Sequence, residues 1–262
     1  MAISAVWIWF SDLALEMLVH DPRRLTWLQS VKGWLFVLGT GAMLYVMIGH
    51  TVHRLATVNR KLLDGNEQSL RVLVEAMDAR HKETSDHSDR VMRMAEGLAR
   101  LAGVEGEALR NLRFGALLHD VGKLALPDAI LIKPGKLDAA ETELMRTHPR
   151  IGRDMLLRVD FLRGAADVPY SHHERWDGTG YPQGLRGEAI PLAARIFSVV
   201  DVWDALSNPR VYKPAWPEPE VIAYLREAAG TQLDPRLVEL FLANLDRLKA
   251  LASGPAAHHR SH

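Results

Sequence analysis

Residues 114–128 read Phe-Gly-Ala-Leu-Leu-His-Asp-Val-Gly-Lys-Leu-Ala-Leu-Pro-Asp. An apolar run with the character of a core helix ends abruptly on an imidazole and a carboxylate, His119 and Asp120, with an amine close behind at Lys123. On a helix, adjacent residues point about 100° apart. One metal ion uses such a pair poorly, whereas two ions close together use it well, with His119 on one and Asp120 bridging both. Around this stretch the apolar residues recur at helical spacing: Val91, Met94, Ala95 and Leu98; Leu109, Leu112 and Leu117; Ile196, Val199, Val200 and Trp203; Val221, Tyr224 and Leu225. No convincing run alternates with period two. Proline and glycine gather at 127–135 and 178–191, which read as loops. Thr84 or Ser85 is placed to cap the helix carrying His87, and Asp138 the helix carrying Glu141 to Thr147. The expected fold is all-α, a helical bundle with one long glycine-rich excursion.

Composition narrows the chemistry. The chain has 262 residues, with 32 basic and 32 acidic side chains, so it has no net field to attract a nucleic-acid polymer. It has no cysteine, so a metal must sit on histidine and carboxylate, a donor set that suits iron, manganese or zinc. Glu83 and His87 lie four apart, on one helical face. His148 stands at a helix terminus before Pro149, His172 and His173 form a second adjacent pair, and Asp201 interrupts the apolar run 195–206. An unpaired carboxylate there is costly. Singly, each has an ordinary reading: a surface histidine, a helix end, or Asp201 paired with Arg195. Together they concentrate five histidines and three carboxylates at helix ends or on apolar faces, the pattern expected of two or three clustered metals. The other seven histidines have no such setting.

The N-terminal fifty residues differ in kind. Residues 33–49 carry no charge, and seventeen residues of helix reach about 25 Å, just enough to cross a bilayer. Trp34 and Tyr45 would sit at the interfaces. Residues 1–11 are apolar but too short to span, with Asp12 and Glu16 interrupting; they lack the basic start of a signal peptide. Residues 51–80 read as a helical connector with an apolar stripe of Leu55, Val58, Leu62, Leu70, Leu73 and Met77, broken at Asp64-Gly65-Asn66. Such a stripe serves either a dimer or packing on the domain. Residues 81–250 would form the main domain and 251–262 a disordered tail.

The motif at 119–123 resembles the His-Asp signature of HD-domain phosphohydrolases. Residues 172–196, which include Gly180-Tyr181-Pro182, resemble the extended motif of the HD-GYP subfamily, and further matching stretches lie at 127–137, 145–152, 201–206, 210–215 and 230–235. Asp86, Trp203 and Asn208-Pro209 depart slightly from the family pattern. The resemblance implies a cyclic di-GMP phosphodiesterase that yields pGpG or GMP through a metal-bridged hydroxide. It implies metal-ligand roles for His87, His119, Asp120, His148, His172, His173 and Asp201. Glu83 would be the extra carboxylate of members holding three metals rather than two, and iron or manganese would be the metal. Lys123 would lie beside the cluster, catalytic together with Asp120, and Arg210 and Lys213 would grip the substrate's phosphates. The Gly-Tyr-Pro loop, with Tyr181 and Trp176, would line the substrate groove, act as a latch, or present Tyr181 to a signalling partner. The resemblance also implies a bacterial inner-membrane protein with its catalytic domain in the cytoplasm. A receptor without turnover and a hydrolase of another cyclic dinucleotide are the alternatives.

Overall fold

The computed structural model describes residues 2–81, 87–209 and 214–253. Among these, the chain is helical throughout, with short 3-10 turns and no strand; Ala229 and Leu233 form an isolated bridge. The chain divides into two compact units, residues 1–68 and 69–262.

In the first unit, α1 (Ala2–Leu18) precedes α2, which begins at Pro22 and runs to His81. Asp12 and Glu16, which end the apolar stretch, lie within α1. Asp12 is paired with Lys32 of α2, which also donates to Ser11 at 3.0 Å, so the acid that ends the first apolar stretch and the base that precedes the second neutralise each other. Trp7 stacks on Phe36 with ring centroids 5.6 Å apart. The expected break at residues 64–66 is also absent, and α2 continues through it. One glycine in a helix interior costs only about 1 kcal/mol, which strong helix formers on either side offset.

In the second unit, the last turns of α2 join a core. Val74 and Met77 are buried with Phe114, Leu117, Leu118, Val121 and Leu162, and Leu70 packs against them. The functional stripe is therefore 70, 74 and 77, whereas Leu73 is exposed. Arg80 fixes the end of α2: it pairs with Asp128 at 2.6 Å and donates to the carbonyls of Leu124 and Leu126, each at 3.1 Å. The larger core is built from α3 (His87–Leu101), α4 (Gly106–Leu117), α8 (Asp167–Ser171), α9 (Leu192–Ser207), α10 (Glu218–Ala228), α11 (Pro235–Ala243) and α12 (Leu245–Ser253). Phe197 and Phe241 are fully buried in it, and Trp203 lies against Phe241 with centroids 5.6 Å apart. The amphipathic spacing read from the sequence buries the faces it should.

Between α4 and α8 run three shorter helices: α5 (Asp128–Leu131), inside a segment expected to be loop, α6 (Ala139–Met145) and α7 (His148–Leu156). Asp138 caps α6 as expected. Its carboxylate accepts from Glu141 N at 2.9 Å, and the Glu141 carboxylate accepts from Asp138 N at 2.8 Å, a reciprocal capping box. α12 continues to Ser253, into the segment expected to be a tail.

A candidate metal centre where five segments meet

Five helix ends and faces deliver the polar residues to one place. His87 opens α3, and His119 and Asp120 follow α4. His148 opens α7, His172 and His173 follow α8, and Asp201 lies mid-way along α9. The α4 ending abuts the start of α7 because Gly122 lets the backbones meet: a Cβ there would fall on the His148 carbonyl oxygen.

The side chains fall into two groups. Ligand atoms of His87, His119 and Asp201 all lie within 4.8 Å of one another, and those of His148, His172 and His173 do the same. Asp120 stands between the groups. Its Oδ2 is 3.3 Å from His119 Nε2, while its Oδ1 is 3.3 Å from His148 Nε2 and 3.8 Å from His172 Nε2. One carboxylate thus presents one oxygen to each group, the disposition expected of a bridge. All but Asp201 and His173 are buried.

The imidazole tautomers show that this cluster fits cations. His119 Nδ1 donates to Ala116 O at 2.9 Å, His148 Nδ1 to Met145 O at 2.8 Å and His172 Nδ1 to Pro169 O at 3.0 Å. A carbonyl can only accept, so each Nδ1 carries a proton and each Nε2 is the atom turned toward the centre, that of His119 facing Asp120. His148 Nε2 and His172 Nε2 face each other at 3.5 Å, two acceptors with no proton between them. A cation relieves that opposition, and an N/O donor set without thiolate suits iron, manganese or zinc.

The electrostatics divide the same way. Burial alone would depress His119, but the charge and hydrogen bond of Asp120, helped by Asp201 and the Ala116 carbonyl, push the imidazole up to about 9. Burial would raise Asp120, yet Lys123 and His119 hold it well below the usual carboxylate range. In the other group, burial and the neighbouring imidazoles push His172 down, and His173 down to about 3. The lone pairs of these two therefore stay free at neutral pH.

Lys123 Nζ is 2.5 Å from Asp120 Oδ2, so the amine lies beside the cluster as expected. Tyr181 stacks on His173 with centroids 4.7 Å apart, and the Arg146 guanidinium lies 5.2 Å from the Tyr181 ring centroid. Burial pushes the Tyr181 phenol up to about 12, so it stays protonated at neutral pH. Gly180 and Pro182 flank Tyr181 in the loop, and Gly180 is pressed against the Glu174 and Arg175 backbone where a Cβ has no room. Trp176 faces the Arg195 guanidinium, 5.8 Å from its ring, over a small cavity also lined by Glu174, Ser198 and Asp234. Arg195 pairs with Asp234 at 2.7 Å, leaving Asp201 to the cluster. Glu83, Arg210 and Lys213 lie outside the described residues.

Two buried acids were not singled out from the sequence. Glu174, buried, accepts from Gln183 N at 2.7 Å and Leu185 N at 3.0 Å and so pins the Gly-Tyr-Pro loop. Asp204, buried, faces His87 Nδ1 at 2.6 Å and takes Arg90 Nε at 2.6 Å. Burial would raise its carboxyl, but hydrogen bonds from His87 and Arg90 hold it low. The signal was present: Asp201 and Asp204, three apart in an apolar helix, are two costly carboxylates on adjoining faces.

Comparison with known proteins matches an HD-domain family model to residues 57–237, which include every residue of both groups. The chain belongs to the HD-domain family. The Gly-Tyr-Pro motif sets it in the HD-GYP branch of that family. Among curated HD-domain relatives, it is 41% identical over 199 residues to the cyclic di-GMP phosphodiesterase response regulator RpfG of Xanthomonas campestris pv. campestris, covering 75% of this chain and 52% of that one. It is 40% identical over 181 residues to 3'3'-cGAMP-specific phosphodiesterase 2 of Vibrio cholerae, covering 68% and 35%. The chain thus spans about half or less of the length of these relatives. A solved cyclic GMP-AMP specific phosphodiesterase of V. cholerae superposes with a TM-score of 0.51 at 19% identity, over 72% of this chain and 54% of that one, a likeness of fold.

Proposed function

We propose that this HD domain is a metal-dependent phosphodiesterase that hydrolyses cyclic di-GMP to pGpG, GMP or both. The observation that carries the reading is the split of Asp120, one oxygen toward each of two ligand groups whose Nε2 atoms face it. His87, His119 and Asp201 would hold one divalent ion, His148, His172 and His173 a second, and Asp120 both, with iron or manganese the metals this donor set favours. Divalent ions bound there supply the Lewis acidity that makes water a competent nucleophile near neutral pH and offsets the charge of a phosphodiester. Glu83 would be the extra carboxylate for a third ion.

The chain's own residues would do the rest. Asp120, held ionised by Lys123 and His119, keeps the centre's charge balance. Lys123 sets an ammonium beside Asp120, from which it would stabilise or protonate the leaving oxygen. Tyr181, stacked on His173, offers a flat face for a base and a phenol that donates. Arg210 and Lys213 would grip the phosphates, a role for which the planar fork of Arg is suited. The Gly-Tyr-Pro loop also offers Tyr181 to a signalling partner.

Residues 22–59 lie on a helix long and apolar enough to cross a bilayer, with none of its apolar window buried. Trp34, Leu38, Tyr45 and Val46 are widely exposed, which favours anchorage in the inner membrane, with the catalytic domain on the cytoplasmic side, where cyclic dinucleotides are made. A homodimer through α2 suits the same exposed face.

The test is a substrate panel with the metal-replete full chain. Cyclic di-GMP, 3'3'-cGAMP and cyclic di-AMP are supplied side by side to the wild type and to Asp120→Ala. Release of pGpG or GMP by the wild type and its loss in Asp120→Ala supports the reading. Preference for 3'3'-cGAMP, the substrate for which one relative is named, would reassign the substrate. Tight binding of cyclic di-GMP without turnover would make the domain a receptor.

A further inference from the structure

His87 differs from its neighbours in what orients it. The rings of His119, His148 and His172 are each held by a backbone carbonyl three residues earlier, so the chain path itself sets their tautomers. His87 Nδ1 instead meets a side chain 117 residues away, Asp204 Oδ2 at 2.6 Å. Asp204 is 1% exposed. Arg90 clamps it with two contacts, Nε to Oδ1 at 2.6 Å and Nη2 to Oδ2 at 3.0 Å, and Asn208 Nδ2 donates to Oδ1 at 2.9 Å. A buried carboxylate gripped by guanidinium is an acceptor only. Nδ1 of His87 must therefore carry the proton, and Nε2, 4.0 Å from Asp201 Oδ1, must face the centre with its lone pair.

We propose that Asp204, braced by Arg90, is the positioning residue for the first cation: it sets the tautomer and aim of His87 and thereby tunes the affinity of the His87–His119–Asp201 position separately from its partner. This rests on the two-cation reading above. An outer carboxylate on a ligating histidine raises its basicity and fixes its orientation, and losing one typically costs metal affinity about 10–100-fold. The selectivity follows from the geometry. His148 and His172 are held by the backbone and His119 by Ala116, so a change at Asp204 reaches one imidazole only among these four. It also accounts for two carboxylates three apart on α9: Asp201 faces the cluster, while Asp204 reaches behind His87 to Arg90.

The experiment titrates the metal-free full chain with manganese(II), counting bound equivalents in the wild type, Asp204→Asn and Asn208→Ala. The wild type should bind two equivalents. Asp204→Asn should bind one unchanged and one about 10–100-fold more weakly. Asn208→Ala, which removes a contact to Asp204 but not the one to His87, should match the wild type. In parallel, nitrogen-15 spectra of histidine-labelled metal-free protein report the tautomer: His87 protonated on Nδ1 in the wild type, shifting toward Nε2 in Asp204→Asn. Two unweakened equivalents in folded Asp204→Asn would overturn the proposal. So would an Nε2-protonated His87 in the wild type, a result that stands even if Asp204→Asn does not fold. A wild type that binds no manganese at all would instead refute the two-cation reading, and this proposal with it.

Discussion

Loading of the two cation positions should respond to pH differently, and the size of the difference follows from His119. The charge and hydrogen bond of Asp120, helped by Asp201 and the Ala116 carbonyl, carry that imidazole to about 9 in the metal-free protein. At pH 7 it is then protonated in all but about 1 molecule in 100, so a cation entering the His87–His119–Asp201 group must displace a proton. Apparent affinity there should rise about 10-fold per pH unit between pH 7 and 9, about 100-fold in all. His172 is held low and His173 sits at about 3, so neither contributes a proton to displace in that range. The assay is manganese(II) titration by calorimetry in buffers of different ionisation heat, with His173→Ala isolating the first group and His87→Ala the second. About one proton should be released per cation at the first group at pH 7. The same group bears on stability with a definite sign. Its folded value lies above the 6.5 of a free imidazole, so its contribution to the metal-free fold is complete below about 6.5 and is lost as pH rises through about 9. A first-group affinity that stays flat from pH 7 to 9, without proton release, would refute the assignment of His119 to the Asp120 field.

Three further outcomes are expected. Gly122→Ala places a methyl against the His148 carbonyl oxygen and the Gly152 backbone; overpacking of that kind costs about 1–3 kcal/mol, and thermal melting should fall together with manganese affinity at the His148 group. Glu174→Ala leaves the amides of Gln183 and Leu185 without their acceptor; each lost partner costs about 1–3 kcal/mol, and the KM for cyclic di-GMP should rise more than kcat falls, because Tyr181 rides on that loop. Met77→Ala should cost about 2–5 kcal/mol in chemical denaturation, whereas Leu73→Ala, on the exposed face of the same helix, should change stability by less than about 0.5 kcal/mol.

Much of the molecule is legible in the chain alone, because the information is local. Helical periodicity repeats every few residues, so α3, α4 and α9 and their buried faces follow from spacing, and the Asp138–Glu141 box follows from two residues three apart. The cluster members are legible as well: acids and imidazoles at apolar helix ends are costly, and cost marks them. The break expected at residues 64–66 did not form because helix formers on either side offset one glycine. The partner of Asp12 was not legible, because Lys32 lies twenty residues away.

Tertiary structure alone decided which polar groups meet. The tautomers of His119, His148 and His172 depend on carbonyls that the helix ends expose, and the split of Asp120 between two groups depends on Gly122 letting α7 come close. Arg195 turned to Asp234 rather than Asp201, and its guanidinium also lies over the Trp176 ring. The Asp204–His87 contact joins residues 117 apart. A sequence lists donors and acceptors but not the distances between them, and hydrogen bonding and metal ligation fall off within a few ångström.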